Sequence, residues 1–206
     1  MEAGAAIIND VSGFRDSAMV EVAASCDAGC VIMHMKGEPA TMQENPTYDD
    51  VVAEVKEYLA AQAAMLEAAG VSRGRICLDP GPGFGKTPSQ TLELMRNFHE
   101  FSRLGYPTMC AVSRKRYIGE AYGIADAGER DAASAAEALM ACELGASVVR
   151  AHNVEETMKS LADLRPYALI ALGANVALVA NPGEETEGKI ANLQQAITGL
   201  CSIPDT

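Results

Sequence analysis

The chain has no tryptophan, 5% aromatic residues and three histidines in 206 positions. The missing indole argues against a stacking platform for nucleic acid. Basic residues are also scarce: 16 Lys and Arg stand against 28 Asp and Glu, a formal charge of -12. That balance argues against nucleic acid and acidic membrane surfaces as partners, while leaving room for a local basic pocket for one small anion. No CxxC pair occurs among the six cysteines, which lie mostly beside aliphatic or alanine residues. They read as reduced, buried thiols in a cytoplasmic protein, not as disulfides or zinc ligands. There is no signal-peptide pattern and no apolar run long enough to span a bilayer. Spacing gives no support to a metal cluster built from the three histidines.

What is present is enough apolar residue, 49%, for one core. The most informative stretch is ICLDPGPGFGKTPSQT, Ile76 to Thr91. Ile76 to Leu78 read as a buried strand ending on Asp79, and three glycines then make a loop able to take backbone angles closed to other residues. Thr87 is placed as a helix N-cap, Pro88 as N1, and Gln90 completes a capping box. The loop is not a Walker A motif, because its first glycine comes too late before the lysine.

Around it, strands are expected near residues 6, 30, 76, 108 and 146, each followed by a helix. The expected helices include one with Met19, Val22 and Ala23 on its apolar face. A second, from Val51 to Ala69, shows Val51, Val55, Leu59, Ala63 and Leu66 and is preceded by a possible Thr47/Asp50 capping box. Others run on to Gly105, from Asp131 to Leu144, and from Val154 to Leu164. The repeat indicates parallel βα units. Each strand ends on a polar or charged residue, which favours a barrel with its site on the carboxyl face; a doubly wound sheet shares much of the pattern. After Arg165 and Pro166 the chain changes character and suggests a second unit from about Tyr167.

Five motifs together, IINDVSG, MHMKGEPATMQ, LDPGPGFGKT, SRKRYIG and RAHNVEET, resemble dihydropteroate synthase over about the first 165 residues. The resemblance implies an α/β fold of the TIM (β/α)8 barrel family, here a partial barrel lacking the first three βα units. It implies condensation of 6-hydroxymethyl-7,8-dihydropterin diphosphate with 4-aminobenzoate, giving 7,8-dihydropteroate and diphosphate in folate biosynthesis. It also implies a sulfonamide target, Mg2+ whose usual loop ligand is missing here, and a homodimer or other homo-oligomer. Residues 166–206, through ALIALGANVA and NLQQAI, resemble the start of hydroxymethyldihydropterin pyrophosphokinase, so a multifunctional parent is expected.

Residue by residue, the resemblance gives Asp79 and Asn9 the pterin. Lys115 reaches the pterin or the cleft beside it, and Phe84, Lys86, Ser113 and Arg114 fall on the substrate side. Arg150 and His152 take the pterin or the diphosphate, and Lys115, Arg150 and His152 form the expected catalytic set. Without the resemblance, Asp79 could cap its own loop, Asn9 tie down its own turn, and residues 114–116 form a solvated basic turn. Asp10 is expected to support its loop and His34 to serve structurally. Asn153 stands where the family usually has aspartate, a change expected to alter the histidine's orientation or the local charge. Two other readings stay open: a pterin-binding methyl-transfer module, and a catalytically incomplete pterin-binding or oligomerising fragment.

Overall fold

The computed structural model describes residues 5–162; the expected pyrophosphokinase-like segment lies outside them. Five parallel strands follow one another in chain order: β1 (Ile7–Asp10), β2 (Gly29–Met33), β3 (Ile76–Asp79), β4 (Met109–Cys110) and β5 (Val148–Val149). β1, β2 and β3 pair in continuous register, from Ile7 opposite Gly29 to Met33 opposite Asp79. β4 pairs with β5, and a bridge from Leu78 to Thr108 joins the two groups. The order never reverses, as it would in a doubly wound sheet, so the strands form an arc of a barrel. Among the described residues β1 and β5 do not pair, and the arc is open: a partial α/β barrel.

Alternation along the strands sorts the apolar residues onto two faces. Ile8, Cys30, Ile32, Ile76 and Leu78 point outward into a core shared with α2 (Val51–Ala68). Ile7, Val31, Cys77, Met109, Ala111 and Val148 cluster on the inner face. All five expected apolar residues of α2 are buried, each Val or Leu contributing about 1.5–3 kcal/mol at most. Asp50 caps this helix, accepting from the amides of Val52 and Ala53, while Glu54 reaches back to accept from the Asp49 amide, so the expected Thr47 box does not form. Lys36 explains the difference: its ammonium donates to the Thr47 carbonyl and stacks on the Tyr48 ring, 4.1 Å from its centroid, holding that stretch out of the helix.

Other boundaries also move. In α1 (Ser17–Ser25), Ala23 is buried and Met19 packs on the core, but Val22 faces solvent. The helix expected to reach Gly105 is two, α3 (Pro88–Arg96) and α4 (His99–Ser102), broken where Phe98 turns inward to meet Phe101 edge-on. A helix absent from the sequence reading, α5 (Arg116–Tyr122), precedes α6 (Asp131–Glu143) and α7 (Val154–Leu161).

Candidate active site

The inner face carries apolar residues within the arc and changes to polar ones a single pleat further on. Ile7 is followed two residues later by Asn9, Cys77 by Asp79, Ala111 by Ser113 and Val148 by Arg150. These polar residues therefore come together at the carboxyl end of the barrel interior. His34 and Asp10 fall on the other parity. Asp10 accepts from the Ser12 and Phe14 amides and the Ser12 hydroxyl, which makes it a support for its own turn, as expected. His34 is buried with its ring edge-on to Tyr58.

A cavity of about 680 Å3 opens at this end, lined by Asn9, Ser113, Arg114, Lys115, Arg150 and His152, among others. Phe84 and Lys86 border a neighbouring cavity of about 360 Å3, and Lys115 reaches both. Asp79 is fully buried.

Asp79 uses one carboxylate oxygen, Oδ1, to accept from the Gly81 amide at 2.8 Å. Its Oδ2 is buried with no partner. Burial pushes its pKa up, opposed by the charge of Lys115 and the Gly81 N–H. Asn9 shows the complementary arrangement. Its Oδ1 accepts from Arg150 Nη1 at 3.2 Å, while its Nδ2 donor is buried and unpartnered. An orphaned buried acceptor and an orphaned buried donor are each costly, by about 1–3 kcal/mol, and such groups are normally satisfied in a folded protein.

The cations divide by environment. Lys86 is buried, and its Nζ donates to the carbonyls of Gly81 (3.0 Å) and Phe84 (2.9 Å) and lies 2.9 Å from His34 Nδ1. Its ammonium is thus spent on holding the glycine loop. Burial lowers its pKa to about 7, and burial with the nearby Lys86 charge drops His34 to about 2, keeping that ring neutral. Lys115 donates to the Pro82 carbonyl and lies over the Phe84 ring at 4.2 Å; burial lowers it to about 8. Arg114 has a left-handed backbone, φ 59°, and its guanidinium forms a two-pronged pair with Asp131, Nε to Oδ1 at 2.7 Å and Nη2 to Oδ2 at 2.9 Å. The solvated basic turn considered from sequence describes Arg116, which is exposed and pairs with Glu120. On the last turn the His152 amide donates to Ser113 Oγ at 3.0 Å, and His152 Nδ1 lies 3.0 Å from the same oxygen.

Sequence reasoning missed Arg130, Asp131 and Ser134. No local pattern marks them, because their partners lie some 15 to 22 residues away. Asn153 does not orient His152 through its side chain: its Oδ1 caps α7 at the Glu156 amide, and its Nδ2 donates to Asp131 Oδ2 at 3.0 Å.

A five-stranded barrel arc with a polar cavity at its carboxyl end is one shared by enzymes of many chemistries; sequence comparison narrows the class. The chain belongs to the pterin binding enzyme family, whose model matches residues 1–152. Within that family its relatives are transferases of the dihydropteroate synthase type. The enzyme of Neisseria meningitidis serogroup C is 46% identical over 175 residues, covering 84% of this chain and 60% of that protein. Among solved structures, dihydropteroate synthase from Stenotrophomonas maltophilia matches with a TM-score of 0.76 and 42% identity, covering 78% of this chain and 61% of that one. The Thermus thermophilus enzyme in complex with 6HMPPP gives 0.75 and 42%, covering 78% and 64%. The chain thus spans less than two thirds of the length of these relatives. Residues 166–206 lie beyond the family match.

Proposed function

We propose that this chain carries the pterin end of a dihydropteroate synthase site, in which 6-hydroxymethyl-7,8-dihydropterin diphosphate and 4-aminobenzoate condense to 7,8-dihydropteroate and diphosphate. The observation that carries the reading is the pair of orphaned atoms, Asp79 Oδ2 and Asn9 Nδ2. A pterin edge offers both an amine and ring N–H to a carboxylate and an acceptor to an amide, so one flat heterocycle supplies both missing partners. Related enzymes support it: one Thermus thermophilus structure is in complex with 4-aminobenzoate, and one from Xanthomonas albilineans with 7,8-dihydropteroate.

In this reaction the C–O bond to diphosphate breaks, the electron pair leaves with the oxygen, and the aromatic amine nitrogen bonds to the electron-poor methylene carbon and then loses a proton. The chemistry asks for charge stabilisation on the leaving group and for placement, more than for a strong base. Lys115 and Arg150 bring positive charge to the cavity, and Ser113 with His152 brings hydrogen-bonding groups to its rim. Arg114 and Phe84 would shape the aminobenzoate side, with Lys86 holding the loop that carries Phe84. Among the described residues no group of three or more His, Cys, Asp or Glu gathers as a metal set. A homodimer, and a boundary near residue 165 before a pyrophosphokinase-like segment, belong to the same proposal.

Dihydropteroate formation by the 206-residue chain tests it, with Lys115→Ala expected to abolish turnover. Asp79→Asn should weaken pterin binding on the order of 10- to 100-fold, since a charged hydrogen bond is lost. Binding without turnover would favour the incomplete-fragment reading; an undiminished pterin affinity in Asp79→Asn would overturn the proposal.

A further inference from the structure

Two turns carry most of the cavity's polar groups: residues 113–115 after β4, and residues 150–153 after β5. Both converge on one side chain that touches neither cavity. Asp131, the first residue of α6, accepts both prongs of Arg114 and also the amide of Asn153. Its neighbours complete the hold. Ser134 Oγ accepts from the Arg114 amide at 2.9 Å, and Arg130 Nη1 donates to the carbonyls of Arg114 (3.1 Å) and Lys115 (3.3 Å). Arg130 also binds the carbonyls of Ile124 and Ala125 and passes so close to Gly119 that a Cβ there would sit 2.6 Å from its Cζ. A non-glycine residue in the left-handed region costs about 1–2 kcal/mol, so the Arg114 backbone keeps that conformation because its surroundings impose it.

We infer that Asp131 is a positioning residue that couples the two turns, fixing Ser113 and Lys115 against His152. The charge arrangement explains Asn153. A carboxylate there would face the Asp131 Oδ2 it now donates to, whereas an amide satisfies both the helix cap and Asp131. The acid at 131 and the amide at 153 are therefore matched to each other. The coupling is a property of the fold; its catalytic consequence rests on the synthase reading above.

Amide hydrogen exchange, followed by NMR on the whole chain, reads the coupling without requiring turnover. In Asp131→Ala, exchange should quicken about tenfold or more at Arg114 and also at His152, which Asp131 does not touch, while amides of β2 and α2 keep parental rates. Asn153→Ser, which retains a capping oxygen but has no amide donor, should loosen the His152 turn alone. Quickening confined to Arg114 would overturn the inference. If the parent chain turns over, Asp131→Ala should lower kcat on the order of 100-fold with KM within a few-fold; an unchanged kcat would remove the catalytic consequence. A parent that binds neither pterin nor diphosphate would count against the synthase reading alone, leaving the exchange result to decide the coupling.

Discussion

The glycine loop after β3 and the basic turn after β4 face each other across Lys115, and they are held in opposite ways. The glycine loop is fixed from inside. Gly81, Gly83 and Gly85 all have positive φ, and the buried ammonium of Lys86 ties Gly81 and Phe84 to His34. The basic turn is fixed from outside by partly exposed ionic groups, Arg114 with Asp131 and Arg130 with main-chain carbonyls. Burial makes the first sensitive to volume and to protons. Partial exposure makes the second sensitive to salt.

The sharpest way to break the comparison is to add volume inside. Gly81→Ala would drive a Cβ into the His34 carbonyl at a φ of +63°, costing about 3 kcal/mol or more; urea denaturation should show it as a large fall in midpoint. A comparable loss from an equally small substitution at exposed Gly123, where a Cβ meets nothing, would erase the distinction.

Protons come next. Lys86 titrates near 7 in the folded chain and about 10.4 when unfolded, so between those values the unfolded state holds a proton that the folded state has lost. Stability should therefore rise with pH from about 7 to about 8.5, with Lys115 adding to the rise from about 8. Above that range the buried thiols, whose pKa values are raised, oppose the trend. Lys86→Met should flatten the slope measured by urea titration at successive pH values; a slope identical to the parent's would assign it elsewhere. On the acid side, His34 is neutral when folded down to about 2, so stability should fall as pH drops below about 6.5.

Salt should separate the two loops more gently. Raising ionic strength to about 1 M contracts the screening length to about 3 Å. Exchange at the Arg114 and Lys115 amides should quicken a few-fold, with the Gly81 amide, bonded to buried Asp79, unmoved. The smallest effect is expected at the outer strap. Gln43 Nε2 donates to the Gly83 carbonyl at 2.6 Å from an exposed position, and Gln43→Ala should cost about 0.5–1 kcal/mol, seen as a small fall in thermal midpoint.

The same contrast decides what could be read from sequence. The glycine loop is local: Ile76 to Asp79, the Thr87/Gln90 box and Pro88 all stand within fifteen residues, and the capping box forms as expected. The strand-end rule also placed Asn9, Asp79, Ser113 and Arg150 at the carboxyl end of the arc, where the structure has them. It could not by itself set His34 apart, because the distinction lies in pleat parity, and parity needs the strand boundaries. Arg130, Asp131 and Ser134 were invisible for a different reason. They act on carbonyls and side chains brought near only by the barrel, and α5, which carries the chain between them and the basic turn, has no strong apolar repeat of its own.

The hydrogen bond from Arg150 to Asn9 spans 141 positions of sequence, whereas the β1–β2 pairing is local to a single βα unit. Closing so long a loop is entropically late work for a folding chain. The end of the cavity where Asn9 meets Arg150 should then be the last part of the molecule to acquire its native shape. In refolding from urea, far-UV circular dichroism should recover first, and competence to bind a pterin should lag behind it.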